Sequence, residues 1–304
     1  MRKLLSRAWP IVMASVLLGC EAQTPQKPPV EAAPPETSAV EPDAAEATPA
    51  ATAATVTEAD LKAALKEKNP NFEGELEVGA DQSGIFAVKI NDGAIEDISP
   101  LAGLPLRGLD LARCHITDIS ALRGAPLMEV YLEDTGVKDI GPLAGAPLVK
   151  LYLSNTQVED LGPLKNCRDL QELNLVGTKV SDLSPLQGLG IEMLWLTGCP
   201  VSDIGPLQTV RLVSVTLADT KVSDLGPLKG HPTLQRLHIA GTEVTDLSVL
   251  EWLKLTRLIF TPNRIKTGIE FARGMGSLTE IGADFEGRMP PAQFWPMYDA
   301  GEFK

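Results

Sequence analysis

Aromatic residues are scarce in this 304-residue chain, at three tyrosines, four tryptophans and seven phenylalanines. Any aromatic that recurs at a fixed position is therefore informative. Cysteine is also scarce: after Cys20 only Cys114, Cys167 and Cys199 remain, an odd number that cannot all pair. No C-x-x-C or Cys/His cluster is present, which leaves no zinc framework. The three histidines, His115, His231 and His238, fall in unrelated positions, and Gly274-Met275-Gly276 lacks a third glycine. With no H-E-x-x-H, G-x-S-x-G or P-loop, nothing specifies a nucleophile, a metal-bound water or a phosphate cradle, so no catalytic residue, metal or cofactor is expected. Cations are outnumbered, 27 Lys and Arg against 40 Asp and Glu, for a formal charge of −13. Nucleic-acid affinity depends on cations that displace counterions, so such a partner is excluded.

The apolar run from Trp9 to Leu18 is too short to span a bilayer as a helix. It follows Arg2, Lys3 and Arg7 and leads into Leu17-Leu18-Gly19-Cys20, the layout of a secretory signal peptide with a small residue at the cut. A cysteine directly after that cut resembles the lipobox of bacterial lipoproteins. The resemblance implies that residues 1–19 are removed and that Cys20 carries a lipid anchor. It also implies an exported protein whose N-terminal lipid is its only membrane contact. Glu21 is not the Asp associated with inner-membrane retention, which favours the outer membrane or the periplasmic face; Leu18 departs from the commoner Ala or Ser. An ordinary signal peptide with a coincidental cysteine is the alternative. Removing residues 1–19 deletes three cations and no anions, which moves the formal charge from −13 to −16.

Residues 20–56 are rich in Pro, Ala, Glu and Thr with almost no large apolar side chain, a composition that cannot bury enough surface to fold. This segment reads as a disordered linker, which in polyproline II form could reach roughly 110 Å. Residues 57–84 read as an N-terminal cap. Thr57 stands as a polar N-cap before an amphipathic helix that buries Leu61 and Leu65 and closes at Asn69-Pro70.

From Ile85 a pattern L-x-x-L-x-L-x-x-T-x-V-x-D-L-x-P-L repeats, with its fourth position at Val88, Leu109, Val130, Leu151, Leu173, Leu194, Val215, Leu237 and Leu258. The steps are 21 or 22 residues, the period and leucine spacing of leucine-rich repeats. The expected fold is an α/β solenoid, a horseshoe of about nine repeats over residues 85–265. Its parallel sheet would line the concave face, with short 3₁₀ or helical turns on the convex face. Ser-Pro and Gly-Pro pairs such as Ser99-Pro100 and Gly162-Pro163 are expected to place a cap before a proline at the first position of each turn. Residues 266–304 read as a C-terminal cap, with a helical turn over Thr267–Met275 and a last strand at Leu278–Ile281. Phe294, Trp295, Tyr298 and Phe303 then plug the open core or bind a partner.

The core V-x-D-[LI]-[SG]-P-L resembles the internalin-type repeats of bacteria, with threonine replacing the ladder asparagine at Thr135, Thr156, Thr178, Thr220 and Thr242, while Asn263 keeps it. The tail from Phe294 to Phe303 resembles that of bacterial repeat proteins, some of which carry a kinase domain. Here a lipobox and a linker stand in that place, so no kinase activity is implied. Eight aspartates recur in step, Asp97, Asp118, Asp139, Asp160, Asp182, Asp203, Asp224 and Asp246. They are read as caps that accept backbone N–H bonds from the following turn rather than as a metal ladder, because the glycine-rich calcium loops are absent. Cys114 and Cys199 occupy the threonine column four copies apart, roughly 19 Å at strand spacing, and are read as small buried residues.

The position between the two strand leucines faces the concave side. In order it holds Lys89, Asp110, Tyr131, Tyr152, Asn174, Trp195, Thr216, His238 and Ile259; two positions earlier stand Ala87, Gly108, Glu129, Lys150, Glu172, Met193, Ser214, Arg236 and Arg257. Two of three tyrosines and one of four tryptophans fall in one column, and such residues dominate binding hot spots. The candidate partner-binding residues are Tyr131, Tyr152, Asn174, Trp195, Glu129, Glu172, Arg236 and His238. They describe a groove with an aromatic floor, acids beside it and a basic far end. A protein partner is expected; a glycan such as peptidoglycan also suits aromatic platforms. The alternative is that Tyr131 and Tyr152 only stabilise the sheet as a cross-strand pair.

Overall fold

The computed structural model describes residues 56–82 and 84–303. The signal, lipobox and linker readings, including Cys20, lie outside the described residues. Helix α1, Glu58–Lys68, opens with a reciprocal capping box: the Thr57 hydroxyl accepts from the Asp60 N–H at 3.2 Å and the Asp60 carboxylate accepts from the Thr57 N–H at 3.1 Å. Its Leu61 and Leu65 are buried against the first repeat. Asn69 ends the helix and joins it to the solenoid. Its buried amide donates to the Leu65 and Asp97 carbonyls and accepts from the Glu96 and Asp97 N–H groups, supplying partners that a preceding repeat would otherwise give.

The sheet has 11 strands in chain order: β1 Glu77–Asp81, β2 Gly84–Lys89, β3 Gly108–Asp110, β4 Glu129–Tyr131, β5 Lys150–Tyr152, β6 Glu172–Asn174, β7 Met193–Trp195, β8 Ser214–Thr216, β9 Arg236–His238, β10 Arg257–Ile259 and β11 Glu280–Gly282. Strand β1 pairs antiparallel with β2, with a register shift at Gly79/Ala80, and so covers the first edge of an otherwise parallel stack. The middle residues Val88, Leu109, Val130, Leu151, Leu173, Leu194, Val215, Leu237, Leu258 and Ile281 pair in one register and are almost fully buried. The repeat architecture expected from the sequence is the observed one, and the last strand expected at Leu278–Ile281 is β11.

Strands β2 to β10 each lead through a corner to a short 3₁₀ turn such as Ser99–Leu101 or Gly162–Asn166. The aspartate column caps these turns: at all eight copies Oδ1 accepts the N–H of the residue two positions on, at 2.7 to 2.8 Å. The expected aspartate caps are thus observed, whereas the second cap expected from the Ser or Gly before proline is not at the N-cap. Ser99 and Ser184 stand inside their turns, after the N-caps Ile98 and Leu183, and at Ser120 and Ser248, where no proline follows, the hydroxyl donates to the aspartate. A carboxylate two residues upstream reaches the free N–H groups of a three-residue turn more directly than a serine inside it.

The five ladder threonines are buried, and each hydroxyl donates to the carbonyl three residues earlier, at 2.7 to 2.8 Å. Asn263 does not continue this ladder; it is exposed in the turn Pro262–Arg264, where the period has already failed. Cys114 and Cys199 are buried free thiols whose Sγ atoms reach back to the Ile90 and Leu175 carbonyls, at 3.3 and 3.0 Å. Burial raises both thiols, Cys114 to about 11, so they are inert core residues.

Two helices, α2 Ile269–Gly274 and α3 Pro291–Asp299, close the other end. Phe294 is fully buried, with ring centroids 5.8 Å from Phe260 and 4.6 Å from Phe303, while Trp295 and Tyr298 flank it. Arg273 ties this plug down, stacking over Trp295 at 4.9 Å and holding both Asp299 oxygens.

Candidate functional site

A strand of three residues lifts two side chains onto the concave face and sinks the third. Strand pairing puts Tyr131 beside Tyr152, Tyr152 beside Asn174 and Asn174 beside Trp195. The rings run on across the short asparagine: Tyr131 and Tyr152 have centroids 5.1 Å apart at 35°, and Tyr152 and Trp195 lie 6.0 Å apart at 39°. These three half-buried rings form one continuous floor of mutually tilted rings.

Carboxylates hold the floor in place. The Tyr152 hydroxyl donates to Glu172 Oε2 at 2.5 Å, and the Tyr131 hydroxyl to Glu129 Oε2 at 3.4 Å. Lys150 pairs with the other Glu172 oxygen at 3.4 Å, with both side chains only 17% exposed. Asn174 Oδ1 accepts from the Ser154 hydroxyl and the Val176 N–H, at 2.8 and 3.1 Å, which turns its two amide hydrogens to other partners. Burial, followed by the negative charges of Glu129 and Glu172, holds the Tyr131 hydroxyl well above its ordinary range. Among the described residues the floor is thus an electronegative surface with one internal cation, Lys150.

The basic end is built differently. Arg236 and His238 lie on β9, apart from the rings, and Ser214 and Thr216 occupy the intervening strand. The His238 ring stacks on Phe285 at 6.4 Å, and Arg257 and Arg288 lie over the same Phe285 ring at 5.8 and 3.6 Å. Arg257 is ion-paired with Glu280, which Arg288 also approaches at 3.6 Å. Ile259, expected on the open column, is fully buried. The cause is segment 283–289, which leaves β11 and returns to pair Met289 with Ile281. A Cβ on Gly282 would stand 3.0 Å from the Asp284 carbonyl oxygen and 3.1 Å from the Arg288 Cα. This glycine occupies the next place in the concave column after Ile259, and having no side chain lets the returning backbone cross the face there.

Sequence reading therefore located the rings and acids that the structure brings together; it placed Phe285 and Arg288 in the aromatic C-terminal cap, but not over the concave face, where they lie across the last strands beside Gly282. The only sequence signal for them was a glycine in a column of larger side chains. Burial lowers the His238 pKa, with Asp219 and Asp284 opposing and Arg288 reinforcing. Among the described residues no cluster of three or more His, Cys, Asp or Glu could hold a metal, and no helix is long and apolar enough to cross a membrane.

The leucine-rich-repeat family (two copies) is matched over residues 148–188. Among solved structures, internalin C2 of Listeria monocytogenes is 30% identical with a TM-score of 0.56; the match covers 59% of this chain and 82% of that one. An internalin, inlF, of the same organism is 26% identical with a TM-score of 0.49, over 62% and 70% of the two chains. A leucine-rich-repeat protein of Leptospira interrogans shares the fold at 19% identity and a TM-score of 0.50, over 61% and 51%. No curated protein matches the chain.

Proposed function

Since the chain belongs to the bacterial internalin-type leucine-rich-repeat proteins, we propose that it is a non-enzymatic, exported binding module whose concave aromatic floor captures a protein partner. The observation that carries this reading is the continuous run Tyr131–Tyr152–Trp195, half-buried and flanked by Asn174, Glu129 and Glu172. A solenoid does not need three large rings on its concave column to fold, because its core lies on the other side of the sheet. Rigid aromatics with polar neighbours are what a hot spot requires. The lipobox-like Cys20 and the linker that follows would hold the repeats away from a cell-envelope membrane.

The test is selection of 12-residue peptides from a random displayed library against the intact chain. Ligands should lose at least about tenfold in affinity for the Tyr131→Ala, Tyr152→Ala, Trp195→Ala triple variant, a typical hot-spot loss, while that variant still melts cooperatively. Ligands that bind the triple variant unchanged would sink the proposal. Co-sedimentation of the intact chain with peptidoglycan, lost in the same variant, would redirect it to a glycan.

A further inference from the structure

The chain shows what its aromatics do with charge. Each of its two C-terminal ring clusters is completed by a cation and a carboxylate. Arg273 stacks on Trp295 and is held by Asp299; Arg257 and Arg288 stack on Phe285, and both approach Glu280. A guanidinium over a ring face, with a carboxylate to fix its donors, combines quadrupole attraction with directed hydrogen bonds.

Around Tyr131 the floor contains two parts of that arrangement. It has the ring, and it has Glu129 and Glu172, whose charges add to burial in raising the Tyr131 hydroxyl. Its one internal cation, Lys150, is taken up by Glu172. Glu129 makes no ion pair among the described residues, and no cation lies over Tyr131 or Trp195 among them. Both carboxylates engage a tyrosine hydroxyl, so the rings and the charge are fixed relative to each other before any ligand arrives. On a chain of formal charge −13, an anionic ligand would meet repulsion at this floor and a cationic one attraction.

We propose that the partner segment seated on this floor presents an arginine or lysine side chain, its cation lying over the Tyr131 ring with Glu129 as counter-charge. The inference rests on the reading of the floor as a protein-binding site. Arginine fits better than lysine, since a planar guanidinium can stack on a ring and donate to a carboxylate together. Asn174, with its amide hydrogens turned away from Ser154 and Val176, supplies a donor for a backbone carbonyl of the same segment.

The peptide selection decides this when its products are sequenced. Ligands that depend on the rings should be enriched in Arg over Lys, and both over Asp and Glu. Replacing the shared cation by alanine should lower affinity at least about tenfold. Glu129→Gln should weaken the same ligands about threefold or more, and raising salt from about 0.05 to 0.5 M should weaken them further. Trp195→Phe, which keeps a ring and a folded chain, should retain most binding. Ring-dependent ligands with no enriched cation would overturn the inference while leaving the protein-binding reading intact. Basic ligands indifferent to the ring variant would show attraction to an acidic surface only and would overturn both. A selection that yields no ring-dependent ligand overturns the inference as well.

Discussion

The two halves of the concave face are built from the same repeat yet finished in opposite ways. From β4 to β7 three of the four column side chains are rings, and among the described residues of these strands the acids Glu129 and Glu172 outnumber the cation Lys150. From β9 to β11 the column runs His238, Ile259, Gly282, and the chain's own segment 283–289 lies across it. Aromatic, cation and carboxylate occur in both halves. In the second they satisfy one another within the molecule; in the first, among the described residues, Tyr131 and Trp195 carry no cation and Glu129 makes no ion pair. A face that is internally complete contributes stability, whereas an incomplete one is available for binding.

The largest expected effect breaks what the halves share. Leu173→Ala opens a cavity at the centre of the stack and should cost about 3 kcal/mol in denaturant unfolding. Next, Gly282→Val should force segment 283–289 away from the sheet, costing about 1–3 kcal/mol. It should raise hydrogen exchange and proteolysis around Phe285 without changing the fluorescence of Trp195. Smaller again, Glu280→Gln removes the carboxylate that Arg257 and Arg288 approach. Since these groups are partly exposed, it should cost about 1 kcal/mol of stability or less, read as a slight drop in melting temperature.

The smallest effect concerns pH. Burial depresses the His238 pKa in the folded state, so the unfolded chain takes up a proton first as pH falls through 6.5. Stability therefore drops below that pH, and the loss is complete once pH is below the folded value. Asp219 and Asp284 moderate it. His238→Gln should flatten the stability profile between about pH 7.5 and 5.5, while the aromatic half, which lacks a histidine in its columns, contributes nothing to that slope.

Most of the fold was legible because one period fixes strand, corner and turn together. The in-register leucines, the threonine ladder and the aspartate caps all follow from spacing, and so does the alignment of Tyr131 with Tyr152 and Trp195. What spacing could not show was any contact made by a segment outside the period. Segment 283–289 has no repeat register, so its return over Gly282 and the stacking of Phe285 on His238 could not be read from columns. At the turns, spacing named two caps, and only Asp97 and its equivalents do the bonding; the proline marks the turn without making the residue before it the N-cap. Tyr152 reaching Trp195 past Asn174 depended on side-chain length rather than on register.

The measurement that bears most directly on this division is a paired one: affinity for a ring-dependent peptide ligand and melting temperature, taken together for Trp195→Ala and Phe285→Ala. The account predicts that Trp195→Ala loses about tenfold or more in affinity while melting near the parent, and that Phe285→Ala melts lower yet binds as the parent does. A Phe285→Ala variant that loses binding, or a Trp195→Ala variant that loses stability and keeps its affinity, would contradict it.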